Sequence, residues 1–138
     1  MDKALNYLAL ARKGSMAELG EEPVGAMART GKAYLILVAS DASDHTWRRA
    51  KSFAAGTAQQ CIRVRFTKDE LGFAIGRTSL AIAAITDAAL ALALVNALGE
   101  PEKYKAAIEV LSEKTEMLKK RRQEAKAHQR NVRFGKKK

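Results

Sequence analysis

The chain has 138 residues, of which 47% are hydrophobic and 29% are charged, and this composition indicates one globular domain rather than a disordered or fibrous chain. Its single cysteine, Cys61, excludes a disulfide framework and a cysteine-rich zinc site. The formal net charge of +10 predicts polyanionic partners. The longest apolar stretch, residues 88–98, is too short for the roughly 20 residues that cross a bilayer, and the first residues lack a signal-peptide pattern. We therefore expect a cytoplasmic protein with no membrane contact.

Most of the excess positive charge lies at the C-terminal end of the chain. Residues 119–138 contain ten basic residues and one acidic residue, Glu124, which gives a net charge of +9. The preceding 118 residues contain 15 basic and 14 acidic residues, which gives +1. Because such a block of like charge repels itself and has little to bury, we expect residues 119–138 to form a polybasic tail that is disordered until a partner neutralises it.

Capping residues and helical spacing predict two helices in the first part of the chain. Asp2 is a suitable N-cap, apolar residues recur at helical spacing after it, and Gly14 is a suitable C-cap, so we expect a helix over residues 3–13. Residues 15–19 are too few to assign from periodicity alone. Two acidic residues and Pro23 suit the first turn of a second helix, which we expect to end near Arg29.

The next segments alternate between strand and helix patterns. Residues 34–39 form a continuous apolar run, which indicates a strand buried on both faces in the middle of a sheet. Capping residues at 41–44 precede a helix that ends at Gly56. Residues 61–66 place Ile62, Val64 and Phe66 on one face and two arginines on the other, which is typical of a half-exposed strand.

The pattern of alternation continues to residue 98. Thr67 and Glu70 form a capping-box sequence that predicts a short helix over residues 71–75. A strand is expected over residues 80–85, and Asp87 caps an apolar helix over residues 88–98. Short helices and strands in alternation predict an α/β sandwich with a sheet between helix layers.

An amphipathic extension follows the sandwich. Pro101 suits the first turn of a new helix, and apolar or small residues then recur at spacings of four and three. The residues of this stripe are Tyr104, Ile108, Leu111, Thr115 and Leu118. We favour a helix packed on the sandwich over a separate helix that docks on a protein partner. The predicted organisation is thus a sandwich over residues 1–99, a helical extension over residues 100–118 and a tail over residues 119–138.

The sequence offers little for catalysis. His45 and His128 have no metal-ligand or triad spacing around them. Gly72 and Gly76 resemble a phosphate-binding loop, but the following lysine and the strand-to-helix context are missing, so helix packing and a C-cap explain them better. An enzyme acting on a small phosphorylated ligand would rest on these two glycines alone. We expect no catalytic residues, no cofactor and no metal.

Three segments together resemble a known family. They are residues 31–43 (GKAYLILVASDAS), residues 66–76 (FTKDELGFAIG) and residues 84–87 (AITD). The sequence resembles the superfamily of kink-turn-binding ribosomal proteins, and within it the bacterial YlxQ-like branch, over about residues 5–98. The resemblance implies a three-layer α-β-α sandwich with a four-stranded mixed sheet, in agreement with the pattern of elements.

The resemblance also implies where RNA would bind. In this family the glycine-containing start of the second helix grips the sheared pairs of a kinked RNA stem, and the loop before the last strand packs on the RNA. These segments correspond here to residues 20–26 and 76–80, with further cations nearby. The predicted RNA-binding residues of the sandwich are Gly20, Glu21, Glu22, Gly25, Arg29, Lys32, Arg77, Thr78 and Ser79. Those of the tail are Lys119, Lys120, Arg121, Arg122, Arg130 and Arg133.

Three positions depart from the kink-turn pattern. Where kink-turn binders carry asparagine, glutamate and, three residues later, lysine, this sequence has Glu22, Pro23 and Ala26. We therefore expect a kinked stem to bind little better than an unkinked duplex of equal length. The predicted function is non-enzymatic binding of structured RNA, with ribosomal RNA and ribosomal or translation-associated proteins as partners. The alternative is a protein adaptor that docks through the apolar stripe of the extension.

Overall fold

The computed structural model describes the backbone of residues 1–134 and the side chains of residues 1–129. Helices and strands alternate within this range as the sequence predicts. The helices are α1 (Lys3–Lys13), α2 (Glu21–Arg29), α3 (Asp44–Ala54), α4 (Lys68–Ala74), α5 (Ala88–Ala97) and α6 (Lys105–Phe134). The strands are β1 (Ala17–Leu19), β2 (Leu35–Val38), β3 (Gln60–Arg63) and β4 (Ile82–Ile85).

The four strands form one mixed sheet in the order β1-β4-β2-β3. Strand β4 runs antiparallel to both β1 and β2, whereas β2 and β3 are parallel. Leu35 at the start of β2 faces Gln60 of β3 on one side and Ile85 of β4 on the other. The predicted interior position of the apolar strand is thus confirmed.

Helices cover both faces of the sheet. On one face α2 contacts β1 and β4, and α3 contacts β2 and β3. On the other face α1, α5 and α6 contact the sheet, and α4 packs on α1. All four residues of β2 and all four of β4 are buried between these layers, which explains why both strands are apolar without alternation. The predicted three-layer α-β-α sandwich is confirmed.

Side-chain caps fix where several helices begin. The Asp2 carboxylate accepts a hydrogen bond from the Ala4 N–H, and the Asp87 carboxylate accepts one from the Leu90 N–H. Thr67 and Glu70 form the complete capping box that the sequence predicts. These local bonds satisfy N–H groups that have no partner within the helix, so the starts of α1 and α5 could be read from the sequence. Helix α4 begins directly after its predicted cap, at Lys68, three residues before the predicted start at residue 71.

The first turns of α6 belong to the core. Tyr104, Ala107 and Leu111 are buried, and the helix packs on α5 and on β3. The Tyr104 hydroxyl donates a 2.8 Å hydrogen bond to the carbonyl oxygen of Arg63 on the edge strand. The preferred interpretation of the apolar stripe, a helix packed on the sandwich, is confirmed for these turns.

The structure differs from the prediction in the region that follows residue 118. Helix α6 continues without a break to Phe134, where we expected a disordered tail. Lysine, arginine, glutamine, glutamate and alanine dominate these turns and are good helix formers, and the docked first turns remove the cost of nucleation. Residues 135–138, which hold the last three lysines, lie outside the described residues. None of the helices in the described part combines the length and the apolar character needed to cross a bilayer.

Candidate nucleic-acid interface

The two segments that the resemblance assigns to RNA binding meet at one end of the sheet. The Gly20 N–H donates a 3.0 Å hydrogen bond to the Ile82 carbonyl oxygen, which joins the start of α2 to the start of β4. Gly20 has a φ of +97°, a conformation that glycine adopts without strain. We call this end of the sheet, where β1, β2 and β3 finish and β4 begins, the Gly20 end. Glu21, Glu22 and residues 77–79 lie there.

Close packing on α4 holds the loop of residues 77–79 in place. A Cβ atom at Gly72 would lie 2.7 Å from the Ser79 nitrogen and 2.9 Å from the Arg77 carbonyl oxygen. The Arg77 N–H donates a 2.8 Å hydrogen bond to the Gly72 carbonyl oxygen. The side chains of residues 77–79 are exposed, so Arg77, Thr78 and Ser79 can contact a ligand from a fixed backbone. Gly72 thus allows the loop to pack closely on α4. The sequence favoured this packing role over a phosphate-binding loop.

The Glu21 carboxylate contacts two side chains of α3. Its carboxylate oxygen Oε1 lies 3.0 Å from Arg49 Nε and 3.9 Å from His45 Nε2. Arg49 also stacks over the Phe53 ring at 5.3 Å, which holds the guanidinium in position. Neither Arg49 nor His45 was among the predicted site residues, because a pair between two helices leaves no local sequence signal.

The start of α2 keeps backbone donors free. No side chain caps this helix, and its first hydrogen-bonded N–H is that of Val24 to Gly20. The N–H groups of Glu21 and Glu22 therefore remain without an intrahelical partner, and Pro23 has none to offer. Such free N–H groups favour anions, because the helix dipole is positive at this end.

Gly25 does not belong to a ligand surface. It is buried on the side of α2 that faces α3, and a Cβ atom there would lie 2.9 Å from Phe53 Cζ. The prediction of Gly25 as an RNA-contacting residue is therefore wrong, because this glycine allows the Phe53 ring to pack against α2. A glycine needed for helix packing and one needed for ligand approach have the same appearance in a sequence.

Arg29 and Lys32 lie at the opposite end of the sheet from Gly20. Helix α2 has nine residues and so spans about 13 Å between them and Gly20. Both side chains are exposed. We call this second end, where β2 and β3 begin and β4 finishes, the Gly31 end, after the glycine between these two cations.

The basic part of α6 lies at this same Gly31 end. Lys114 and Met117 line a cavity together with Gly31 and Tyr34. Lys119 and Arg122 line a second cleft beside the start of α5. Arg29 and Lys32 thus lie at the same end of the sheet as the α6 cations, and not at the Gly20 end. Lys114 was not among the predicted site residues, because the prediction placed the basic surface after residue 118.

The character of one face of α6 changes along its length. Leu111, Thr115 and Leu118 face the body of the protein, and Arg122 and Lys126 follow on the same face at spacings of four. The side chains of residues 119–129 are all exposed, so this part of the helix is free to meet a ligand. Lys119, Lys120, Arg121 and Arg122 take part in none of the ion pairs found among the described side chains. The side chains of Arg130 and Arg133 lie outside the described residues.

The described residues show no constellation for metal or thiol chemistry. No group of three metal-ligating side chains occurs among them. Burial raises the pKa of the Cys61 thiol to about 11, so this thiol is protonated and unreactive near neutral pH. The features that the described surface offers are exposed cations, free backbone N–H groups and a cavity beside α6.

The solved structures that are similar to this chain include the following two. A Bacillus halodurans protein with unknown function matches with a TM-score of 0.67 and 26% sequence identity, over 72% of this chain and 100% of its own. A Giardia lamblia 15.5kD RNA binding protein matches with a TM-score of 0.58 and 19% identity, over 72% of this chain and 84% of its own. No protein-family model and no curated protein matches the sequence.

These similarities define the fold of the chain. The sandwich is an α/β fold that an RNA-binding protein also has. Each of the two structures covers 72% of this chain, so each leaves more than a quarter of it without a counterpart.

Proposed function

We propose that the protein is a non-enzymatic RNA-binding protein that recognises structured RNA, with ribosomal RNA as its target and the cytoplasm as its location. The observation that carries the proposal is the exposed run of cations on α6, from Lys119 to Lys126, on a chain with a net charge of +10. Cations that are free of ion pairs release counterions when they meet phosphates, which favours nucleic acid over a neutral partner. The fold shared with an RNA-binding protein supports the same function.

The Gly20 end supports recognition of the RNA backbone rather than of bases. Its free N–H groups and the exposed side chains of Arg77, Thr78 and Ser79 suit phosphate and sugar oxygens. Glu21 is paired with Arg49, which reduces the repulsion between phosphates and one of the two carboxylates at the start of α2. Because Glu22, Pro23 and Ala26 offer no base-reading amide or lysine, we keep the expectation that a kinked stem has little advantage over a duplex.

The adaptor hypothesis needs an exposed apolar stripe, and the first part of that stripe is buried against the sandwich. Tyr104 and Leu111, which would have met a protein partner, are 4% and 1% exposed. Their contacts with α5 and β3 leave the outer side of the helix, which is polar, to face solvent. An interface that depends on this stripe would require α6 to leave the core.

Crosslinking in cells, followed by sequencing of the bound RNA, tests the proposed function. We expect ribosomal RNA to be enriched with the natural protein. A variant with Lys119, Lys120, Arg121 and Arg122 replaced by glutamine should recover much less of it, because its electrostatic contact is removed. A variant with Glu102, Glu109, Glu116 and Glu124 replaced by glutamine changes as many charges on α6 and directly before it, and should lose no RNA. Recovery of no RNA above background with the natural protein would contradict the proposal.

A further inference from the structure

A cavity of about 360 Å³ lies between α6 and the Gly31 end of the sandwich. The walls are largely apolar: the Tyr34 ring, Val110 and Met117 contribute to them, and Glu113 and Lys114 supply charge. Met117 is 46% exposed, so its side chain is accessible to a ligand that enters the cavity. No element that the structure describes fills this space.

One wall of the cavity is held rigidly. Gln59 is 5% exposed, and its amide oxygen accepts a 2.8 Å hydrogen bond from the Ala33 N–H. Its amide nitrogen donates a 3.2 Å hydrogen bond to the Ala28 carbonyl oxygen. These two bonds tie the end of α2 and the start of β2 to the segment before β3. This wall is therefore formed before any ligand arrives, and binding of a ligand includes no entropy cost for ordering it.

The surroundings of the cavity are basic. Lys32 follows Gly31 directly, Arg29 ends α2, and Lys114 lines the cavity itself. Arg121 lies one helical turn beyond Met117 on α6. Glu113 is the acidic residue among the lining side chains. A ligand with an apolar flat part and an anionic part would match this arrangement.

We propose that this cavity binds an unpaired base of RNA while Lys32, Arg121 and their neighbours hold the adjoining phosphates. This inference rests on the proposed function and names the part of the RNA that the Gly31 end recognises. A base has two apolar faces that stack on an aromatic ring such as Tyr34. Its polar edge meets Glu113, which accepts hydrogen bonds, and Lys114, which donates them.

Single-stranded character then becomes the feature that the Gly31 end selects. A base inside a duplex is stacked and paired, and its faces are not available to a protein cavity. The Gly20 end, in contrast, offers contacts to the backbone. An RNA with a bulge or loop beside a helical stem would satisfy both ends of the protein.

The test compares two RNAs of equal charge with the full chain. Fluorescence anisotropy measures the affinity for a single-stranded oligonucleotide and for a hairpin stem with the same number of phosphates. In the variant Ala58→Phe a ring is placed in the cavity from an exposed lining position, and in the control Ala55→Phe the same ring lies at an exposed position outside it. We expect Ala58→Phe to weaken the single strand by about tenfold or more and to leave the stem unchanged. Ala55→Phe should change neither.

The outcomes separate the cavity from the proposed function. If the natural protein binds neither RNA, the proposed function is wrong and the base site falls with it. If both RNAs bind and Ala58→Phe weakens neither, RNA binding stands and the base site is refuted, which leaves the cavity to another occupant such as a protein segment. A second measurement does not depend on any variant. An oligonucleotide that contains 5-iodouridine should become crosslinked to Tyr34 or Met117 on irradiation. Crosslinks only to residues outside the cavity would refute the base site.

Discussion

Glu21 shows how a distant side chain changes the part that a residue plays. From the sequence alone, two adjacent carboxylates lie where a phosphate is expected, and like charges repel. In the structure Arg49 Nε lies 3.0 Å from Glu21 Oε1, so the charge of one carboxylate is compensated. Arg49 belongs to a different helix from Glu21, and no spacing rule of the sequence connects the two residues.

Replacement of Arg49 should therefore weaken RNA binding more than the loss of one charge does. The variant Arg49→Gln frees Glu21 to repel phosphates, and we expect the affinity for a stem RNA to fall several-fold. The matched control is Arg48→Gln, which removes an exposed arginine that takes part in none of the described ion pairs. Anisotropy titrations of both variants at one salt concentration give the comparison. Equal losses in the two variants would show that the Glu21 pair has no part in binding.

Gly72 gives a prediction about how one added Cβ atom changes the stability of the protein. A Cβ atom there would meet the backbone of Ser79 at 2.7 Å, and backbone cannot move aside as a side chain can. We expect Gly72→Ala to lower the free energy of unfolding by about 1–3 kcal/mol, in spite of the better helix propensity of alanine. Gly14→Ala is the control, because the one atom closer than 3.4 Å to its Cβ would be the flexible end of Met16, and its φ of −85° suits any residue. Urea unfolding measures both, and equal stabilities would contradict the packing role of Gly72.

At the scale of elements, the sequence predicted those helices and strands that local interactions define. Capping side chains at Asp2, Thr67 and Asp87 mark helix starts because each bonds within three residues of itself. Strand β1 has three residues, too few for a period, and forms because β4 supplies its partner. Its place in the fold therefore could not be assigned before the sheet was known.

The C-terminal helix and the separation of the site residues were harder to predict for the same reason. Charge density alone favoured disorder after residue 118, but packing of Tyr104 and Leu111 on the body starts a helix that the following residues extend. Arg29 and Lys32 are close to Gly20 in sequence, yet the length of α2 places them at the other end of the sheet. Both outcomes depend on tertiary structure.

Two truncations test which part of α6 supports the fold. A chain that ends at Lys120 keeps all the α6 residues that are buried among residues 105–129, and should have a nearly unchanged melting temperature. A chain that ends at Gly99 loses Tyr104, Ala107 and Leu111 from the core, and loss of one buried leucine side chain alone costs about 2–5 kcal/mol. Its melting temperature should therefore fall by about 10 °C or more. Thermal unfolding followed by circular dichroism measures both, and equal melting temperatures would contradict the place of α6 in the core.

At the scale of the whole molecule, the described cations of α6 from Lys119 onward begin beside one end of the sandwich. Residues 119–138 carry ten of the 25 basic residues of the chain, and α6 holds the first of them beside the Gly31 end. Binding that depends on this region should be sensitive to salt, because each phosphate contact releases counterions.

The salt dependence of binding gives a numerical prediction. Replacement of Lys119, Lys120, Arg121 and Arg122 by glutamine should flatten the slope of log affinity against log salt by about three units, if all four meet phosphates. The loss should be similar for different RNAs, because phosphate contacts carry no sequence information. Anisotropy titrations of a ribosomal RNA fragment at several potassium concentrations measure the slope. An unchanged slope would place the RNA contact on the sandwich and leave the helix cations solvated.

Because α6 is one continuous helix, the direction in which its basic side chains point is fixed relative to the body of the protein. The helix has 30 residues and a length of about 45 Å, and Arg122 and Lys126 continue the face that Leu111 and Leu118 turn toward the body. One alanine inserted after Leu118 would rotate the later side chains by about 100°, whereas four would rotate them by about 400° and nearly restore their phase. If one RNA contacts body and helix together, the single insertion should weaken binding more than the fourfold one, although neither changes the charge. Equal anisotropy titrations for the two insertions would mean that α6 acts through its charge alone, without angular register to the sandwich.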